Sequence, residues 1–184
     1  MKKLKLIVLI IFITFPLKVN ALIEVDITRG NLNPLPIAVS ALYSDNQTTE
    51  ALKKEINVDQ IGYEISVVIE NNLKATGLFN PLEKKAFLQK PDVAHLKPRF
   101  EDWSLIKAQA LITGKVEFKD DKVRVEFRLW DVLAAREMLA LAFTTVPNNW
   151  RRIGHIISDK IYERLTGEKG YFDTRIIYVS EKGP

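Results

Sequence analysis

Three stretches between positions 110 and 146 constrain this chain more than any other feature: ALITGKVEFK, KVRVEFRLWDVL and EMLALAFTTV. In the middle one Val123, Val125, Phe127 and Leu129 alternate with Arg124, Glu126 and Arg128. Successive side chains of a strand point to opposite faces, so this period of two describes a sheet with one face on a core and the other wet. Asp120-Asp121 and the Ala134-Ala135-Arg136 region suit the two connections. The three stretches predict an antiparallel meander.

Helical patterns supply what must cover its apolar face. In NVDQIGYEISVVIENNLKATGLFNPL, Asp59 is placed to cap a helix whose stripe is Ile61, Ile65, Val68, Ile69 and Leu73, with Gly77 as its terminator. In NNWRRIGHIISDKIYERLTG, Asn149 is the candidate cap, and Trp150, Ile153, Ile157, Ile161 and Leu165 form the stripe. DVAHLKPRFEDWSLIKA holds a weaker helix, with Pro98 at or before its start. Upstream, PIAVSALY reads as a continuously apolar, central strand. Before it, Ile23, Val25 and Ile27 alternate with Glu24, Asp26 and Thr28 as in a half-buried strand, followed by a turn-rich breaker from Gly30 to Pro36. The expected order is β-β-α-(β)-α-β-β-β-α. The fold class is α/β of the two-layer α+β kind: a mixed sheet with the three-stranded meander and two to three helices on one face.

With 184 residues, 47% of them apolar, the chain suits one domain with extras. The absence of cysteine excludes thiolate metal sites, disulfides and a lipidated N-terminal cysteine. Lys2, Lys3 and Lys5 precede the apolar run LIVLIIFITFPL, and KVNA then places Val19 and Ala21 at the −3 and −1 positions of a cleavage site. This is the layout of a Sec signal peptide cut after Ala21, with an uncleaved signal anchor as the other reading. The leader carries four lysines and no acid, so the 27 basic and 23 acidic residues become 23 of each in the mature chain. The basic balance is therefore no argument for nucleic acid or anionic lipid.

Catalytic constellations are missing from the sequence. His95 and His155 stand sixty residues apart in no metal-ligand spacing, so His155, beside the apolar stripe, reads as a satisfied or solvent-facing histidine. No nucleophile elbow, phosphate loop or dinucleotide fingerprint occurs. Glu101-Asp102 and Asp120-Asp121 are adjacent acids whose side chains diverge, unlike the facing pair of a glycan hydrolase. Trp103, Trp130 and Trp150 suit core or rim packing. The expectation is a non-enzyme with no metal, cofactor, small-molecule substrate or nucleic acid. What remains is the N-terminal alternation, either an edge strand of the domain or a segment that adds by β-augmentation to its own or a partner's sheet.

NNLKATGLFNPL, FRLWDV and, above all, RRIGHIISDKIYERLTGEKGYFDTRIIYVSE resemble the amino-terminal domain of the TolB family, the periplasmic component of the Tol-Pal system. The similarity runs from about Ile23 to Glu181. It departs in IAVSALYSDN and KAQALITGKV, both scaffold stretches. The resemblance implies a division into a signal peptide (1–21), an N-terminal switch segment (22–35), an α/β domain (36–170), and a linker with the first strand of a β-propeller (171–184). It implies a periplasmic, non-catalytic module linking TolA and Pal, for outer-membrane integrity and envelope constriction at cell division. Leu22, Ile23, Glu24, Val25, Asp26 and Ile27 match the family's epitope for the periplasmic domain of TolA, which switches between docked and released states. Pal is bound in the family by the propeller, of which this sequence holds only TRIIYVS. The chain accordingly reads as a split, frameshifted or partial product, with Tyr171 to Pro184 loosely packed. A free-standing accessory domain regulating cell-wall synthesis is the alternative, and a periplasmic hydrolase a weaker one.

Overall fold

The computed structural model describes residue 23, residues 33–44 and residues 54–174. The α+β architecture is as expected. Six strands form one mixed sheet: β1 (Leu35–Val39), β2 (Tyr43–Ser44), β3 (Phe79–Pro81), β4 (Ala110–Lys119), β5 (Lys122–Asp131) and β6 (Arg136–Thr145). Their order is β3-β1-β4-β5-β6, with β2 also beside β4. β1 runs parallel to β3 and β4, and β4, β5 and β6 form the antiparallel meander. Four helices complete the described fold: α1 (Val58–Ala75), α2 (Pro91–Leu96), α3 (Phe100–Leu105) and α4 (Trp150–Thr166).

The stretch expected as one central strand is broken in two. Val39 pairs with Ile112 and Tyr43 with Lys115, so this side contains one residue more than β4 over the same interval. That is a β-bulge. It brings the Leu42 carbonyl against α1 at Gly62, where a Cβ would lie 2.2 Å from the oxygen. The buried Leu42 side chain lies against Gly114, whose Cβ would come within 2.6 Å of both Leu42 Cγ and the Glu126 carbonyl. Contacts across the fold impose both glycines.

The helices follow their stripes, with corrections at the ends. Asn57, not Asp59, caps α1, its side-chain oxygen accepting the Gln60 N–H at 2.9 Å. Asp59 sits in the first turn, where a negative charge meets the positive end of the helix dipole. Gly77 ends α1 as expected, at φ +72°, donating its N–H to the Lys74 carbonyl at 3.1 Å. Asn149 makes no side-chain capping bond to α4, because its backbone (φ −101°, ψ 10°) closes a 3₁₀ turn and lacks the extended geometry of a cap. The weaker helix is two helices of six residues each. Lys97, before Pro98, is held extended at φ −154° and ψ 93°, out of the helical region.

α1 and α4 cover one face of the sheet, burying Ile37, Val39, Ile112, Val125, Phe127 and Leu129. They approach closely at Gly154, where a Cβ would lie 2.8 Å from Val68 Cγ1. Asn72 of α1 bridges them, its Nδ2 lying 2.9 Å from both His155 Nδ1 and Ser158 Oγ of α4. On the opposite face α2 and α3 cover one end only, where Ala94 and Trp103 meet Ala38 and Leu111. Gln89 Oε1 holds this end together, accepting from Trp103 Nε1 and the Arg99 N–H at 2.8 Å each. The rest of that face is a ladder of paired charges, including Lys115–Glu117 at 2.6 Å and Arg128–Glu137 at 2.9 Å. It is wet, as the alternation in β5 requires.

Beyond α4, Gly170 to Asp173 fold back onto the helix instead of packing loosely. Residues 175–184, and with them the apolar strand expected after Thr174, lie outside the described residues.

Candidate functional site

The meander leaves β6 at one end of the sheet, with only β5 as a neighbouring strand among the described residues. On its core side Leu139, Leu141 and Phe143 stand opposite Leu129, Phe127 and Val125 of β5. The main stripe of α4 is sunk between the sheet and α1, so the helix covers these β6 side chains only in part. Leu141 remains 36% exposed. An open groove of about 560 Å³ results, with Leu139 and Leu141 on one side and Lys160, Glu163 and Arg164 of α4 and its capping Gly167 on the other.

Local chemistry holds the groove in shape. The β5–β6 register slips between Leu129 and Trp130, which leaves Met138 as the extra residue of a second bulge. The Met138 carbonyl accepts a hydrogen bond from Arg164 Nε at 3.3 Å, tying the helix to the edge strand. Lys160 and Glu163 pair at 2.9 Å on the rim. The Lys160 ammonium, by its hydrogen bond first and its charge second, holds the Glu163 carboxyl below its usual range. The groove thus has an apolar floor and a rim with two cations and one anion.

Of the residues proposed from the sequence as a partner epitope, Ile23 alone is described. It is partly buried, packs against the main core and lines this groove with Leu139 and Leu141. Leu22, Glu24, Val25, Asp26 and Ile27, and Ala21, the residue expected from the sequence to precede a cleavage site, lie outside the described residues. The sequence singles out Ile23 but not the groove that it lines. The signal was the apolar alternation of EMLALAFTTV at an end of the sheet that a single helical stripe is too narrow to cover.

The other sequence candidates have structural occupations. His95 is buried with its ring 5.3 Å from that of Tyr43, and His155 meets Asn72. Among the described residues no group of three His, Cys, Asp or Glu side chains could hold a metal ion. Asp102 pairs with Arg99, and Asp120 and Asp121 form the β4–β5 turn at φ +51° and +60°. Trp103 is buried on Gln89, and Trp130 donates to Thr113 Oγ1 at 2.9 Å. No helix among the described residues is long and apolar enough to cross a membrane.

Residues 23–138 match the family model of the TolB amino-terminal domain. Over 175 residues the chain is 74% identical to the Tol-Pal system protein TolB of Pelagibacter ubique (strain HTCC1062), covering 95% of this chain and 39% of that relative. The chain therefore spans well under half the length of the curated relative it matches. Among solved structures it is similar to TolB from Acinetobacter baumannii, with a TM-score of 0.60 and 22% identity, over 77% of this chain and 30% of that one. At that identity the likeness speaks for the fold.

Proposed function

This chain belongs to the TolB amino-terminal domain family, and from that premise we propose that it is a periplasmic interaction module whose mature N-terminal segment is shared between its own groove and TolA. Cleavage after Ala21 makes Leu22 the free N-terminus. Docked, the segment seats Ile23 against Leu139 and Leu141. Released, Leu22 to Ile27 present their alternating backbone to the periplasmic domain of TolA for β-augmentation. Within the Tol-Pal system the module connects TolA with Pal, and the Pal contact belongs to the propeller characteristic of the family. The role asks for exposed surfaces and a movable segment, and for no reacting group.

The seating of Ile23 in the groove carries this reading. Full burial of one isoleucine side chain is worth about 1.5–3 kcal/mol, and Ile23 is buried only in part. A hold of that size favours the docked state by roughly tenfold, and a partner that binds only the released segment can reverse it.

Capture of the chain on the TolA periplasmic domain, with and without Leu22 to Ile27, tests the proposal. The intact chain should be retained and the deleted one lost. Equal recovery of both would remove the epitope from this segment.

A further inference from the structure

The four residues Gly170 to Asp173 are held to α4 by three kinds of contact. Gly170 lies so close to the helix that a Cβ would sit 2.4 Å from Asp159 Cα. Both carboxylate oxygens of Asp159 accept backbone N–H groups, Oδ1 from Phe172 at 2.6 Å and Oδ2 from Asp173 at 3.1 Å. Seven residues back on the helix, about 10 Å along its axis, Arg152 grips the Asp173 carboxylate with Nε and Nη2, each at 3.0 Å. One turn beyond Asp159 toward the end of α4, Phe172 packs against the core and meets Tyr162 edge to face at 6.1 Å. Tyr171 meets the same ring at 5.7 Å.

A tether between folded parts normally has solvated backbone and few cross-contacts. This stretch has the opposite character, and its restraints point along one direction, from Gly167 back toward Arg152. We infer that Gly170 to Asp173 form a rigid joint, clamped to α4 by Asp159 and Arg152, which fixes the direction in which the chain beyond Thr174 leaves the domain. The exit point at Asp173 is then fixed relative to α4, and so to the groove walled by Lys160, Glu163 and Arg164. The inference is independent of what the N-terminal segment binds.

Backbone ¹⁵N relaxation and amide hydrogen exchange on the full chain test it. Order parameters at Phe172 and Asp173 should match those of α4, near 0.85, and values below about 0.6 would overturn the joint. Asp159→Ala should speed exchange at the Phe172 and Asp173 amides by about 10- to 100-fold, the range for losing hydrogen bonds to a charged group. The Ile112 amide in the sheet should keep its wild-type rate. Arg152→Gln, at an exposed position that cannot unfold the core, should speed Asp173 a few-fold and leave Ile112 alone. Unchanged rates at Phe172 and Asp173 in both variants would refute the clamp. If Asp159→Ala loosens the whole domain, Arg152→Gln and the wild-type order parameters still decide the matter.

Discussion

Replacing Gly62 with alanine sets two well-measured effects against each other. In an isolated helix the change is favourable by about 1 kcal/mol, because glycine gives up more backbone entropy. Here the new Cβ would lie 2.2 Å from the Leu42 carbonyl oxygen, where contacts under 3.0 Å essentially never occur, so α1 must retreat by about 0.8 Å. Neither obstacle is a side chain that can turn away. One is the backbone of the bulge, and the other is a helix whose Val58, Ile65, Ile69 and Leu73 are buried against the sheet. A gap of this size forfeits roughly a quarter to a half of each dispersion contact along that face. Overpacking costs about 1–3 kcal/mol, and this contact belongs at the upper end. Net of the helix gain, Gly62→Ala should destabilise by about 2 kcal/mol. In urea, with m near 2 kcal/mol/M, the midpoint should fall by about 1 M. Tm should fall by about 4–8 °C. Gly154→Ala is the internal comparison, since the nearest obstacles are Val68 Cγ1 at 2.8 Å and Cβ at 3.0 Å, a less severe approach than at Gly62. Its cost should be smaller. A Gly62→Ala protein as stable as wild type, or more so, would refute the close approach of bulge and helix.

Asn72→Ala strips the bridge from Ser158 and His155, and should cost about 0.5–1.5 kcal/mol in a urea titration, the net worth of a hydrogen bond, since Ser158 keeps its bond to the Gly154 carbonyl and His155 is only partly buried. Leu141→Asp places a charge in the groove floor at a position already 36% exposed. It should lower Tm by roughly a few degrees, yet release the N-terminal segment and raise capture by the TolA periplasmic domain. Reduced capture by a folded Leu141→Asp protein would contradict docking against this floor. Burial, ahead of neighbouring charge, pushes the Tyr162 phenol above its ordinary value. Its folded pKa then exceeds its unfolded one, so its contribution to stability is intact below about pH 10 and is lost as pH rises through the folded value. Tyr162→Phe should flatten the alkaline limb of stability above about pH 10, and an unaltered limb would exclude this phenol as its source.

The elements legible in the sequence were those decided by local periodicity and by single special residues. Val123 to Leu129 announced β5, the isoleucines of α4 announced its buried stripe, and Gly77 marked a helix end where the backbone turns left-handed. What escaped was set by contacts distant in sequence. Nothing near Val39 signals a bulge, because its space is made by Gly62 and Gly114. Asn57 and Asp59 are both good caps by type, and only the path of the chain into α1 selects Asn57. The groove depends on how far α4 sits from β6, a quantity without a local pattern. Ile23 reads in the sequence as part of a strand or a partner epitope, and the groove that it lines is built from residues well over one hundred positions away.

The bulge at Ser40 to Leu42 also governs how this part of the chain can change over generations. Shrinking Leu42 would relieve position 114 only in part, since the Glu126 carbonyl remains 2.6 Å from the would-be Cβ, and would not relieve position 62 at all. No side-chain suppressor is therefore available for a substitution at Gly62. The compensating event open to the lineage is a deletion: removing one residue between Val39 and Tyr43 would merge β1 and β2 into a continuous partner for β4 and withdraw the carbonyl from α1. Loop length and glycine content here should be inherited together, as one character spread over three distant segments.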